Sequence, residues 1–323
     1  MSENAIVVCT WSTGRDGLPE GAEEILHIGR GVAGALGKDL TWLVLGPLPQ
    51  AAGELAGKYG VAQLHHAEDP KLDPAGSDAC VEAIAAYWNE HSPATLIVHQ
   101  TGEARVVAPR VAGRLGKAVV MNSISVEAVD SNYQVTASAY GGDTRVIYEV
   151  GGGSVLAFIA NAVVPEPGEG PALTPEAISL DLSNAEERVQ VVQEASFDGP
   201  RLDDAEIIVS GGRGLGSADN YKLIEELAAA LGGLPGASRP IVDEGWVDSS
   251  RQVGLTGRIT RPNLYIAVGI SGASQHMAGC SAAGTIVAIN RDADAAIFQY
   301  ARYGIQGDAL EILPELIRAA SSR

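Results

Sequence analysis

Between residues 5 and 160, short β-branched runs alternate with longer alanine-rich stretches whose apolar residues recur at helical spacing, and this alternation constrains the fold most. Strands joined by crossover helices lie parallel, and the helices cover the faces of their sheet. Residues 5–10, 40–45, 63–66 and 94–99 read as strands, and 20–36, 51–59, 78–91 and 103–115 as helices. Gly37, Gly60 and Gly116 stand where helices end, the position at which a left-handed glycine satisfies the last carbonyls.

After Lys117 the texture changes. Residues 134–139, 144–149 and 155–159 read as shorter antiparallel strands turning at Gly141-Gly142 and Gly151-Gly152-Gly153, which predicts a mixed sheet. Residues 164–171, Val-Pro-Glu-Pro-Gly-Glu-Gly-Pro, cannot continue a helix or a central strand, because proline has no amide to donate; they read as a surface crossing. A strand candidate at 188–196 is followed by a polar stretch with Gly199-Pro200, the expected boundary between a domain over 1–198 and a second over 199–323. A length of 323 residues suits two domains. Strand and helix then alternate again: strands at 207–210, 264–268 and 285–289, helices at 220–231 and 309–320. The predicted class is α/β, two three-layer domains, the first mostly parallel with an added antiparallel part and the second Rossmann-like.

Twenty-two basic against 40 acidic residues give a formal charge of −18 with no basic cluster, which repels nucleic acid. Cys9, Cys80 and Cys280 are far apart and form no CxxC pair, so neither a disulfide framework nor a zinc site is expected. His65 and His66 are adjacent in a strand and point to opposite faces, so they do not share a metal. No Ser-His-Asp order, HExxH or paired-carboxylate spacing stands out. The acidic start Met-Ser-Glu-Asn lacks the basic flank of a signal peptide, and no apolar stretch approaches the roughly 18 residues of a membrane span. A reducing, cytoplasmic setting is expected.

Three strand ends in the second half run into small polar turns: Ser210-Gly211-Gly212-Arg213-Gly214, Val268-Gly269-Ile270-Ser271-Gly272-Ala273 and Ile289-Asn290-Arg291-Asp292. In an open α/β sheet, ligands bind beyond the carboxyl ends of the strands. Glycine lets main-chain amides approach phosphate oxygens, Ser271 adds a hydroxyl, and a helix beginning near Gln275 would aim its positive end at an anion. The GxGxxG fingerprint is absent from both glycine turns. From the residues alone the reading is a phosphate-bearing ligand, with tight-turn service the alternative for any one loop. Arg213 has the planar fork for a phosphate, Arg239 lies among small residues with little local packing, and Trp246 reads as a packing residue.

These same turns carry a resemblance. Residues 209–215, Gly236-Ala237-Ser238-Arg239, residues 264–276 (Leu-Tyr-Ile-Ala-Val-Gly-Ile-Ser-Gly-Ala-Ser-Gln-His) and 285–290 closely resemble the alpha subunit of electron-transfer flavoproteins. Ile297-Phe298-Gln299, Tyr303-Gly304-Ile305 and Gly307-Asp308 extend the likeness. The first half is similar through residues 108–116 and Tyr140-Gly141-Gly142.

The resemblance implies an FAD held by the C-terminal domain and a heterodimer with a beta subunit that carries AMP or a second FAD. It implies a redox carrier that takes electrons from flavoprotein dehydrogenases, of acyl-CoA dehydrogenase type or similar, and delivers them to a membrane or other acceptor. By resemblance, Arg213 and Ser238 contact the cofactor with Val253, Gly254, Leu255 and Thr256. Ser271, Gly272, Ala273, Ser274, Gln275 and His276 line its phosphates and flavin, Asn290 its adenosine part, and Asp308 with Ala309 its adenine end. Arg239 lies against the isoalloxazine, Thr256 offers its hydroxyl to N5, and His276 sits near the carbonyl at C2. A cation or polarised imidazole there favours the anionic semiquinone. The chain departs from its relatives at Leu255, where most have glutamine, at Ala309, where leucine is usual, and in residues 162–167, which lack the usual arginine. Two alternatives remain open, an NAD-dependent oxidoreductase using His276 as proton donor and a cofactor-free scaffold subunit.

Overall fold

The structure is a computed structural model that describes residues 4–11, 17–19, 21–73, 75–130, 132–140, 144–186, 201–202 and 205–322. It divides into two compact units, residues 1–139 with 145–194, and residues 140–144 with 195–323. The expected strand at 188–196, the Gly141-Gly142 turn and the Gly199-Pro200 boundary lie outside the described residues. No helix among the described residues is long and apolar enough to cross a membrane.

The first unit opens with β1 (Ile6–Trp11), α1 (Ala22–Leu36), β2 (Leu40–Leu45), α2 (Ala52–Lys58) and β3 (Gln63–Ala67). It continues with α3 (Ser77–His91), β4 (Thr95–His99), α4 (Ala104–Leu115), β5 (Val119–Val129), β6 (Asn132–Ala139), β7 (Thr144–Val150), β8 (Ser154–Phe158) and β9 (Glu176–Ala177). Its sheet has nine strands in the order β7-β6-β5-β8-β4-β1-β2-β3-β9. β1 pairs in parallel with β2 and β4, β2 with β3, and β4 with β8, while β5 and β6 are antiparallel.

Alternate residues of β1 face opposite layers. Ile6 and Val8 join α1 and α2 residues such as Ile25, Leu26 and Leu55 in one core. Val7 and Cys9 join Ile84, Tyr87, Val107 and Val111 of α3 and α4 in the other. Both faces of the central strands are therefore apolar, which is why those strands read as continuous hydrophobic runs. Gly37 and Gly116 close α1 and α4 with φ of 61° and 64°, their amides returning to carbonyls of the last turn.

One sequence expectation is corrected. β8 does not continue an antiparallel meander but inserts between β4 and β5, parallel to both. Its five residues are all buried, so it belongs to the two-sided core rather than to a half-exposed hairpin. The crossing over 162–171 has neither helix nor strand. It is pinned to α2 by Gly168 N–H donating to Lys58 O (2.8 Å) and Leu173 N–H donating to Gly53 O (2.9 Å). His65 and His66 of β3 take separate partners, the Tyr87 hydroxyl at 2.8 Å and the Gly46 carbonyl at 2.7 Å.

The second unit runs β10 (Ile207–Gly211), α5 (Lys222–Ala230), β11 (Leu234–Ala237), α6 (Arg239–Asp243), β12 (Leu264–Val268), α7 (Ser274–Met277), β13 (Thr285–Asn290), β14 (Tyr303–Gln306) and α8 (Ala309–Ser321). Its five strands are ordered β11-β10-β12-β13-β14, and every neighbouring pair is parallel. The chain adds β11 on one side of β10 and all later strands on the other. The strand order thus reverses between β10 and β12, and a crevice opens at their carboxyl ends.

Candidate functional site

Gly211 and Val268, the last residues of β10 and β12, lie side by side, and the turns leaving them interlock. Gly212 N–H donates to Val268 O at 2.9 Å, Gly214 N–H to Gly269 O at 3.0 Å, and Gly269 N–H to Ile289 O at 2.8 Å. A Cβ on Gly212 would lie 2.5 Å from Gly269 O, and one on Gly214 2.5 Å from Gly269 Cα. No side chain fits between these backbones, so glycine is required for the loops to close on each other as well as for access to a ligand. Gly269 and Gly272 also have φ of 63° and 85°, a region costly for residues with a Cβ.

Beyond this contact the second turn leaves its amides free. Among the described residues, the N–H groups of Ser271, Gly272, Ala273 and Ser274 donate to no protein acceptor, although the turn is fixed by Ile297 N–H donating to Ser271 O at 3.0 Å. A run of fixed, unpaired amides is an anion-binding concavity. The expected helix at Gln275 is the four-residue α7. That single turn adds little macrodipole, so the anion-binding capacity rests on individual N–H groups.

A pocket of about 360 Å³ lies at the same strand ends, lined by Gly214, Gly269, Ile289, Asn290, Arg291, Asp292, Gly307 and Ala309. It unites the glycine contact with two residues assigned by resemblance to the adenosine side, Asn290 and Ala309. Asn290 Nδ2 donates to Ile270 O at 2.9 Å and its Oδ1 accepts from Asp292 N–H at 3.0 Å; both contacts fix its amide. Asp308 caps α8 by accepting from Leu310 N–H at 2.9 Å and pairs with Arg291 at 2.7 Å. The Leu310 amide, and after it Arg291, hold its carboxyl below the ordinary carboxylate value.

Val253, Gly254, Leu255 and Thr256 form a turn held from three sides. Val253 N–H donates to Ala237 O at 2.9 Å, Gly254 N–H to Arg258 O at 3.1 Å, and Leu255 N–H to Gln275 O at 2.8 Å. Ser238 N–H donates to Gly211 O at 2.9 Å, so Ser238 and this turn are joined, through Ala237, to the end of β10. Thr256 is exposed, and its Oγ1 accepts from Gln252 Nε2 at 2.9 Å, which leaves the threonine hydrogen free to donate outward. Sequence reasoning missed Gln252; a single buried glutamine beside a turn has no spacing to mark it.

The proposed charges differ from one another. Arg213 is exposed and has no partner among the described residues. Arg239 is 61% exposed and its Nε pairs with Asp243 at 3.1 Å. His276 is buried, with Nε2 2.9 Å from the Tyr265 hydroxyl. Burial pushes the imidazole down to about 4, outweighing the opposite pull of the Val253 carbonyl, so His276 is neutral at physiological pH. Trp246 packs against the core of α5, α6 and α8.

Residues 12–185 match the family model described as "Electron transfer flavoprotein domain", and residues 201–281 match "Electron transfer flavoprotein FAD-binding domain". "Protein FixB" of Clostridium saccharobutylicum is 36% identical, covering 92% of this chain and 90% of that protein. "Electron transfer flavoprotein subunit alpha" is 34% identical in Thermoanaerobacterium thermosaccharolyticum, covering 92% of each chain, and 34% identical in Bacillus subtilis, covering 91% and 90%. Among solved structures, Acinetobacter baumannii MurG aligns at 10% identity with a TM-score of 0.30 over 99% of this chain and 95% of that one, a likeness that carries no argument. The first family match spans more than half the chain and the second makes the C-terminal unit an FAD-binding domain; this chain belongs to the electron transfer flavoprotein alpha subunit family.

Proposed function

We propose that the chain pairs with a beta subunit carrying AMP or a second FAD, and that it relays single electrons from a flavoprotein dehydrogenase, of the acyl-CoA dehydrogenase type or similar, to a membrane or other acceptor. One observation carries this reading: the unpaired amides of Ser271 to Ser274 follow the end of β12, next to the point where the strand order reverses. FAD fits that chemistry. Its diphosphate needs fixed donors, and its adenosine needs a pocket of the kind bounded by Asn290 and Ala309.

When bound, FAD supplies one-electron redox chemistry. The chain's own residues bind and tune it. The amides of Ser271, Gly272, Ala273 and Ser274 take the diphosphate, with Gln275 beside them, and exposed Arg213 adds charge to the same end. Asn290, Asp308 and Ala309 hold the adenosine portion. Ser238, Val253, Gly254 and Leu255 form the backbone wall toward the ring. Thr256, its oxygen already occupied by Gln252, has one hydrogen to donate to N5. Arg239 supplies a mobile positive charge for the ring, and neutral His276 supplies an oriented dipole near C2. Leu255 presents an apolar surface where glutamine is usual, which removes one polar contact to the ring.

Co-expression with the neighbouring beta subunit, followed by flavin release and counting per heterodimer, tests the reading. One FAD lost on alanine substitution of Arg213 together with Asn290, with the beta cofactor retained, is the expected result. A colourless heterodimer, or FAD content indifferent to both substitutions, overturns it.

A further inference from the structure

The first unit carries a cluster of titratable side chains on α1 that no site assignment includes. Glu24, His27 and Arg30 recur every three residues and so share one face of the helix. The proline-rich crossing is tied to that face. Asn161 N–H donates to Glu24 Oε2 at 3.0 Å, Glu166 N–H donates to His27 Nδ1 at 3.2 Å, and Arg30 Nη2 donates to Glu166 O at 2.7 Å. The same Arg30 Nη2 lies 3.2 Å from His27 Nδ1. Val163 and Leu173 pack against the apolar core at the two ends of the crossing. Its further backbone ties, from Gly168 N–H to Lys58 O and from Leu173 N–H to Gly53 O, go to α2.

The proton state of His27 follows from what its neighbours can do. A backbone amide donates and does not accept, and a guanidinium has donors only. Both meet Nδ1, so this nitrogen presents its lone pair and the neutral ring carries its hydrogen on Nε2. Protonation would put a second N–H opposite that of Glu166 and a positive charge 3.2 Å from Arg30 Nη2. A lost acceptor and a new repulsion then act together against the contact. The charged and titratable groups on the surrounding elements are Glu23, Glu24 and Arg30 of α1, Glu54, Lys58 and Tyr59 at α2, Glu166 and Glu169 of the crossing, and His99 at the end of β4. Lys58 is paired with Glu54 at 2.6 Å, and Glu24 accepts from Asn161 with His99 Nε2 3.6 Å away. Among the described residues no carboxylate pairs with the His27 ring to hold an imidazolium in place.

We propose that His27 is a pH-sensitive latch: its neutral ring holds residues 164–167 of the crossing against α1, and its protonation releases them while the two ties to α2 remain. The sign follows from linkage. The open form binds the proton more tightly than the closed form, so the latch is shut on the neutral side of the range in which histidine changes charge, about pH 5 to 8, and opens on the acid side. The device belongs to the first unit and does not depend on a bound cofactor.

Amide hydrogen exchange in the heterodimer, resolved to single residues by mass spectrometry, tests the latch. Protection is taken relative to the unstructured chain at the same pH. From pH 8 to pH 5.5 the Glu166 amide is expected to lose about fivefold in protection, the equivalent of one hydrogen bond, while the Leu173 amide, whose acceptor does not titrate, keeps its own. His27→Asn places an uncharged acceptor the same number of bonds from the backbone and is expected to hold Glu166 equally at both values. His27→Phe, with no acceptor, is expected to leave it open at both. Wild-type protection that does not change with pH overturns the proposal. So does the same fall in His27→Asn, which would assign the effect to Glu24 and His99, and so does a parallel loss at Leu173, which would mean that the whole unit loosens. Should His27→Phe not fold, the wild type and His27→Asn decide between them.

Discussion

Gly214 and Gly269 meet backbone to backbone: a methyl group on Gly214 would lie 2.5 Å from Gly269 Cα, and one on Gly269 would lie 2.7 Å from Gly214 Cα. Neither neighbour is a flexible side chain that could turn away, so the whole loop must shift. Overpacking of this kind costs about 1–3 kcal/mol, and the left-handed backbone of Gly269, φ 63°, adds roughly 1 kcal/mol for any residue with a Cβ. Gly269→Ala is therefore expected to destabilise more than Gly214→Ala, and both are expected to lose FAD. Gly216 is the control, since it has φ of 82° but open space around it, and Gly216→Ala should cost only the conformational ~1 kcal/mol. Denaturant midpoints and flavin content measure all three; equal midpoints across the series would show that the interlock does not matter.

His276 makes stability fall as the solution becomes acidic. Its folded value of about 4 lies below the ordinary histidine value, so the unfolded chain takes up the proton first. Above pH ~6.5 both states are neutral and the residue contributes nothing to pH dependence. Between pH ~6.5 and ~4 the unfolded state gains protons that the folded state refuses, and stability drops toward a limit of about 3 kcal/mol. A glutamine at this position in His276→Gln can still hydrogen-bond the Tyr265 hydroxyl but cannot titrate. The wild type should lose stability more steeply than the variant over that interval when urea unfolding is compared at pH 7 and pH 4.5. Parallel losses would mean that the buried imidazole is not the titrating group.

Arg239 and Asp243 should move the flavin potential in opposite directions. Arg239 is 61% exposed and its charge is partly cancelled by Asp243 at 3.1 Å. Removing the cation in Arg239→Ala disfavours an added electron and lowers the potential, whereas Asp243→Asn frees the cation and raises it. Because the guanidinium is in water rather than buried, each shift should be on the order of 40 mV, the water-screened limit for a unit charge at contact distance. Spectroelectrochemical titration of the two heterodimers gives both signs, and shifts in the same direction would remove Arg239 from the tuning of the ring.

The central strands and α1, α3, α4, α5 and α8 were legible because each is long and keeps one period. β11 was not: Leu234-Pro235-Gly236-Ala237 has the composition of a turn, and is tolerated as a strand only because it lies at the sheet edge, where proline's missing amide costs no ladder bond. β14 is exposed at all four residues and contains Gly304, so no burial pattern marked it. β5 was hidden by Asn122-Ser123-Ile124-Ser125, where the register with β8 shifts and Asn122 takes φ of 56°. In the site, the turns were readable as glycine clusters at strand ends, whereas Gln252 to Thr256 and Tyr265 to His276 are contacts between single side chains that only the folded geometry brings together.

The proline-rich crossing depends on another glycine contact. Within α2, a Cβ on Gly57 would overlap the Pro171 carbonyl, and one on Gly170 would overlap the Gly57 carbonyl. Gly168 N–H donating to Lys58 O and Leu173 N–H donating to Gly53 O fasten the crossing on either side of that contact. In an unencumbered helix, replacing glycine by alanine stabilises by about 1 kcal/mol. Here the steric conflict with a fixed backbone is expected to outweigh that gain, for a net loss of roughly 1–2 kcal/mol. Detachment of residues 165–172 from α2 should expose their backbone to proteases. Limited proteolysis of Gly57→Ala should therefore cut within 165–172 before wild-type protein is cut there. A variant that is more stable and equally resistant would show that the crossing is held by its two flanking hydrogen bonds and not by the close approach at Gly57.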